Sequence, residues 1–178
     1  NTSYHKDVKK IPHAAITMED AGSFKRLSDR GERITLKLDM DAKTGGDSWS
    51  KNIIAEIIGS EYPDEIIVVG GHIDSWDVGQ GAHDDGGACI ASWEVLRLIK
   101  ALKLKPKRTI RCVLWTNEEN GGMGSKAYRD MHLDELKNHI VAIESDGGVF
   151  APEGFGFSGS DEAFEIVKPG MARMKKPV

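Results

Sequence analysis

Apolar residues follow two different rhythms along the chain, and the rhythm changes near Ser50. Before that point, Met18 to Arg30 reads as a short amphipathic helix. Thr17 can cap it, Glu19 and Asp20 occupy the first turn where acids suit the helix dipole, Phe24 and Leu27 share a face, and Gly31 ends it. Ile34, Leu36 and Leu38 then alternate with Thr35, Lys37 and Asp39, a period of two that predicts a half-buried strand. Asp41 to Ser50 is polar and contains Gly45 and Gly46, which predicts a loop and a domain boundary.

Beyond the loop the apolar runs lengthen. Ile53 to Ile58 predicts one strand and Ile66 to Val69 a second. The second lacks polar alternation, as expected of a strand covered on both faces. A loop rich in Gly and Asp spans Gly70 to Gly87. A largely apolar helix follows from about Ala88 to Leu104, carrying Ile90, Trp93, Leu96, Ile99 and Leu102, and Pro106 closes it. Thr109 to Trp115 returns as a strand, Gly121 to Met131 runs from loop into helix, and Ile140 to Ile143 forms another buried strand. This order predicts a layered α/β domain whose ligands lie at the carboxyl ends of the strands. No repeat or low-complexity tract interrupts it.

Composition narrows the classes. With 178 residues, 39% hydrophobic and 29% charged, the chain can build a core and is not wholesale disordered. The length suits one domain, or one domain with part of another. A net charge of −4 argues against nucleic acid as a partner, and no stretch approaches the ~20 apolar residues of a membrane span. Cys89 and Cys112 are too few for a disulfide scaffold and read as small buried hydrophobes. Trp93 and Trp115 read as core, and Trp76 as a loop anchor. Lys103 to Arg108 reads as a solvated turn, and His5 and His13 belong to a polar lead-in with no role. Asn1-Thr2-Ser3 matches the N-glycosylation pattern and points to a secretory route. No initiator Met or signal segment is visible, so a processed chain or a piece of a longer one is expected. Of the 20 glycines, 15 lie at or after Gly70, where turns and close backbone approaches must therefore concentrate.

The chemistry gathers at three strand ends. After Val69 come His72, Asp74, Asp77, Asp84 and Asp85; after Trp115 come Glu118 and Glu119; after Ile143 come Glu144 and Asp146. If the strands are parallel neighbours, these carboxylates crowd one rim and repel one another. No Lys or Arg lies inside the three acid segments, so a bound cation is the natural counter-charge. One His among several carboxylates suits zinc better than calcium or magnesium.

Four motifs stand in order: Gly70-Gly71-His72-Ile73-Asp74-Ser75-Trp76-Asp77, Gly79-Gln80-Gly81-Ala82-His83-Asp84-Asp85-Gly86-Gly87, Leu114-Trp115-Thr116-Asn117-Glu118-Glu119 and Glu144-Ser145-Asp146. Together with Ile16 to Ala21 and Pro106 to Thr109, they make the chain resemble the co-catalytic di-zinc exopeptidases of the MH clan of metallopeptidases. The resemblance implies a three-layer α/β/α sandwich with a mixed, largely parallel sheet. Residues 1–47 would be the end of an inserted apical domain, and residues 48–178 the first two-thirds of the catalytic domain.

It also implies roles. His72 and Asp146 would hold one zinc, Glu119 the other, and Asp84 would bridge both. Asp74 would orient His72, with Asp85 in support beside it. Glu118 would be the general base for a metal-bridging water that attacks the peptide carbonyl. The resemblance further implies a cis Asp84–Asp85 peptide, two Zn²⁺ per complete site, and a short-peptide or dipeptide substrate. A homodimer, a secreted or lysosomal location, and neither nucleic-acid nor membrane partners belong to the same picture. Two Zn²⁺, three ligand carboxylates and one hydroxide sum to zero, which lets such a site stand away from bulk water.

Two departures are expected to matter. His132 and His139 precede Asp146, and no His follows, so a second-zinc histidine is missing and the chain is expected to stop short of a complete site. This piece alone should then bind metal weakly and show little activity. His83, directly before Asp84, is an exposed loop residue or a stray metal contact. The alternatives are a single-zinc enzyme like glutaminyl cyclases, and a non-catalytic receptor-like relative. Relatives of the second kind lose metal ligands, whereas His72, Asp84, Glu118, Glu119 and Asp146 are all present here.

Overall fold

The computed structural model describes every residue except 1–6, 10, 42, 44, 77, 151–153 and 175–178. Asn1, His5, Asp77 and the final Lys175 to Val178 therefore lie outside the described residues. The chain divides into two units, Asn1–Ser50 and Lys51–Val178.

In the first unit, α1 (Met18–Asp29) forms as its sequence dictates: Thr17 Oγ1 accepts from the Asp20 N–H at 3.1 Å, and Gly31 turns the chain out with φ +78°. The strand expected over 34–39 is absent. Ile34, Leu36 and Leu38 are exposed and their backbone joins no ladder among the described residues. Period-two alternation favours an extended chain but supplies no partner, and without one a strand has nothing to pair with.

In the second unit, β1 (Ile53–Ile57), β2 (Tyr62–His72), β3 (Arg108–Trp115) and β4 (His139–Glu144) form one sheet in the order β1-β3-β2-β4. β2 runs parallel to both β3 and β4, while β1 is antiparallel to β3. The helices are α2 (Gly87–Ala101), α3 (Met123–Met131) and α4 (Asp161–Met174). This is the mixed, largely parallel α/β sheet expected from the strand order.

Successive strand residues face opposite ways, and this places the helices. Ile66 and Val68 of β2 and Val113 of β3 pack against Tyr128 of α3. Gly71, of the other parity, faces α2, where a Cβ would fall 3.0 Å from the Cys89 nitrogen. α2 and α3 thus lie on opposite faces, giving three layers. α2 turns Ala88, Cys89, Ser92 and Leu96 inward, a spacing of one helical stripe. Burial raises both thiols, Cys89 to about 11, so they remain neutral and inert.

Burial is less even than the apolar runs suggest. Ile66 and Val68 are buried but Ile67 and Val69 only half so. Ile140 and Ile143 are exposed rather than buried, because β4 is an outer strand of this sheet. Trp93 is half-exposed, not core: it lies off the α2 stripe, whereas Trp115 packs on the central cluster. α4 lies beyond the elements predicted from the sequence, and Pro169 stands inside it. Its start is well specified, with Ser160 Oγ accepting from Ala163 N–H and Asp161 and Glu162 in the first turn.

One polar cluster sits in the inner packing. Arg111 of β3 is buried and donates to Glu56 of β1, to the Tyr128 hydroxyl, and to Glu135 Oε1 at 2.7 Å. Tyr128 in turn bonds His139 Nε2 at 2.8 Å and stacks on His132. Burial opposes the Arg111 cation, but bonds to Glu135, Tyr128 and Glu56 outweigh it and raise its pKa. The Arg111 bond holds Glu135 below the usual carboxylate range. His132 and His139 are thereby accounted for away from the acid rim.

Candidate metal centre

β2 ends by delivering His72 to the carboxyl rim of the sheet, 1% exposed. Gly71 lets the Asp85 carboxylate reach in behind it: a Cβ there would lie 2.5 Å from Asp85 Oδ2. That oxygen accepts the His72 backbone N–H at 3.0 Å. Asp84 and Asp85 lie in a turn over Ala82–Gly86 and leave helical dihedrals, and the peptide between them is cis.

The His72 ring is fixed by its surroundings. Nδ1 lies 2.8 Å from the Asp74 carbonyl, which can only accept, so Nδ1 carries hydrogen. Nε2 then faces Asp84 Oδ1 at 3.0 Å and Asp146 Oδ1 at 3.2 Å. A neutral ring would point a lone pair at two carboxylates, so the geometry demands a cation between them, a proton or a metal. Burial works against the imidazolium, but the Asp74 carbonyl, the Asp146 carboxylate and the charge of Asp85 prevail and raise the pKa to about 9.

Asp74 works through both its backbone and its side chain. Its carbonyl takes the ring N–H, while its carboxylate stands 3.7 Å from Nδ1. The carboxylate oxygens instead accept the backbone N–H groups of Glu118 at 3.0 Å and Glu119 at 3.3 Å. Asp74 therefore ties the β2 end to the turn after β3. Glu119 is buried, and burial followed by the charge of Asp84 raises its pKa; Glu118 is half-buried at the rim.

Among the described residues, two buried carboxylate oxygens, Glu119 Oε1 and Asp85 Oδ1, have no hydrogen-bond partner. Two donor trios overlap at His72: His72, Asp84 and Glu119, and His72, Asp85 and Asp146, with the donor atoms of each trio within 4.8 Å of one another. An imidazole nitrogen with carboxylate oxygens is a zinc-type donor set, and buried carboxylate oxygens without a hydrogen-bond partner suit a cation. The residues fit the ion. His83 is exposed, belongs to neither trio, and turns its ring toward Phe150. Trp76 is half-exposed on the loop after His72.

Sequence reading missed one positioning residue. Asn52, just before β1, accepts from Thr116 N–H at 3.0 Å and donates to the Gly124 carbonyl at 2.8 Å. It brackets the turn that carries Glu118 and Glu119. Gly124 must be glycine here, because a Cβ would lie 2.4 Å from both Asn52 Oδ1 and the Thr116 carbonyl. Asn52→Ala removes both bonds and is expected to cost about 1–3 kcal/mol of stability, read as a lower urea midpoint. An unchanged midpoint would show that the bracket contributes nothing.

An α/β sheet presenting a buried His and a rim of carboxylates at its strand ends has the donors for a metal site. Residues 52–176 match Peptidase family M28, and the chain belongs to that family. Among individual relatives it is 51% identical over 172 residues to carboxypeptidase Q of Bos taurus, and 49% identical over 172 residues to carboxypeptidase Q of Homo sapiens. Both matches cover 97% of this chain and 36% of the relative. The probable leucine aminopeptidase 2 of Aspergillus oryzae is 29% identical over 175 residues, 94% of this chain and 34% of that protein. The crystal structure of a Peptidase M28 precursor from Shewanella amazonensis superposes with a TM-score of 0.79 at 35% identity, over 95% of this chain and 40% of that one. The chain thus spans about a third of the length of its carboxypeptidase Q relatives.

Proposed function

We propose that the full-length protein is a zinc-dependent exopeptidase of dipeptidase or carboxypeptidase type that hydrolyses short peptides. The observation that carries this reading is His72 Nε2, buried and aimed at Asp84 and Asp146, with the unpartnered Glu119 oxygen completing a trio beside it. His72, Asp84, Glu119 and Asp146 hold the metal. Zinc bound there lowers the pKa of water and polarises the scissile carbonyl. Glu118 takes a proton from the attacking water and returns it to the leaving amine. Asp74 keeps Glu118 and Glu119 in place through their N–H groups, and Asp85 holds the His72 backbone.

Asp84 has two carboxylate oxygens and stands in a trio with His72 and Glu119, so it can be shared between two ions, unlike the ligands of a single-ion glutaminyl cyclase-like enzyme. The presence of His72, Asp84, Glu119 and Asp146 together disfavours a non-catalytic receptor. Residues 1–47 fit the end of an apical domain, with 48–178 in the catalytic one. A secreted or lysosomal location, a homodimer, and a further nitrogen ligand from the length this chain does not span complete the proposal.

Because the His72 proton must leave before Nε2 can donate to metal, zinc should bind better as pH rises. Titrating metal-free full-length protein against a chromogenic chelator should show two zincs per chain. The affinity should climb by up to about tenfold per pH unit from pH 6 and level off near the His72 pKa of about 9. Dipeptide hydrolysis should appear with the metal. Saturation without hydrolysis, or affinity indifferent to pH, would overturn the assignment.

A further inference from the structure

Asp84 and Asp146 reach His72 from different loops, and a pair of reciprocal contacts interlocks those loops. Gly87 opens α2 three residues after Asp84. A Cβ on it would lie 1.8 Å from Val149 Cγ1 and 3.3 Å from Val149 Cβ. In the opposite sense, Gly148 stands two residues after Asp146 with φ +92°. A Cβ on it would fall 2.3 Å from both Cε1 and Nε2 of His83, the residue before Asp84. Phe150 flanks the same ring, with centroids 5.0 Å apart and planes tilted by 59°. Carbon atoms normally meet at roughly 3.5–4.0 Å, so neither glycine can carry a methyl group unless the Val149 side chain or the His83 ring moves aside.

We propose that this double notch sets the spacing of the two carboxylates, and that Val149 and His83 are positioning residues for the metal ligands. The inference rests on the reading that the site holds zinc. Each loop lends a side chain to the gap a glycine leaves in the other. Moving Asp84 relative to Asp146 therefore disturbs the Val149–Gly87 and His83–Gly148 contacts together. A metal site tolerates ligand displacements of only about 0.5 Å, so a small lateral slip of either loop would be felt at the ion. His83 acts from its apolar contacts, with its ring against Gly148 and Phe150.

The test uses full-length protein and three variants, Gly87→Ala, Val149→Ala and the double substitution. Zinc affinity is read by chelator competition, and site geometry by the visible absorption of the cobalt-substituted protein. Gly87→Ala should weaken zinc about 10- to 100-fold, the range for groups that orient ligands, and alter the cobalt spectrum. Alanine suits a helix start better than glycine and offsets part of the cost of displacing Val149, so thermal unfolding of the metal-free protein should fall only slightly and should recover in the double variant. Val149→Ala in the Gly87→Ala background should recover affinity to within about threefold of Val149→Ala alone. Should Gly87→Ala not fold, His83→Ala tests the second notch and should weaken zinc several-fold at unchanged thermal stability. Wild-type affinity in Gly87→Ala or His83→Ala, or a double variant no better than Gly87→Ala, would overturn the clamp. Wild-type protein that binds no zinc would overturn the metal reading itself, and the clamp with it.

Discussion

Glu118→Gln in the full-length protein is expected to lower dipeptide turnover by about 10²- to 10⁴-fold while zinc content stays unchanged, the loss expected when a positioned general base is removed. Glutamine keeps the volume and the backbone N–H that Asp74 holds, so the turn should survive. What disappears is the ability to accept a proton. The neighbouring carboxylate makes the contrast, because the two glutamates share one turn but not one environment. Glu119 is buried with an unpartnered oxygen inside a donor trio, whereas Glu118 stands half-buried at the rim. Glu119→Gln should therefore lose metal first and activity as a consequence. Zinc content by atomic absorption, set beside initial rates, separates the two. Unchanged turnover in Glu118→Gln would remove it from the mechanism.

That contrast was partly legible in the sequence. Acids following three separate apolar runs point to one rim, because parallel strands bring their carboxyl ends together whatever lies between them. β2, β3, α2 and α3 were likewise written in period and punctuation. Less legible was anything that depends on a distant neighbour. The alternation of Ile34, Leu36 and Leu38 is as regular as that of any strand, yet it pairs with nothing among the described residues. Ile140 and Ile143 look buried until β4 is known to be an outer strand.

Asn52 and Val149 carry no motif, since a lone amide or a lone valine becomes informative only when its partner is known. For Asn52 that partner is 64 or 72 residues away. The role of Asp74 divides the same way. Its position two residues after His72 suggests an orienting acid, but which of its oxygens faces the ring depends on the path of the loop. The helix α4 is different: Ser160 with Asp161 and Glu162 is a start readable from the sequence alone.

The second large effect is on stability rather than chemistry. Arg111→Met is expected to destabilise the fold by about 3 kcal/mol, roughly a hundredfold in the folding equilibrium, with zinc affinity changed by less than about threefold. Methionine preserves much of the apolar stem and volume, so the loss isolates the guanidinium. That group is 10% exposed and joins β1 through Glu56, α3 through Tyr128, and the turn before β4 through Glu135. Removing it strands carboxylates on Glu56 and Glu135 whose side chains are 29% and 31% exposed, so water recovers part of their solvation. This places the cost toward the lower end of what breaking a buried ion pair entails. The metal centre should be spared because Arg111 lies four residues before Trp115, roughly 13 Å back along the strand from the acid rim. Urea unfolding of Arg111→Met, Glu135→Gln and the double variant measures the coupling directly. If the network is one unit, the double variant should lose clearly less than the sum of the two single losses. Additive losses would mean that the guanidinium acts through Glu56 and Tyr128 and not through Glu135.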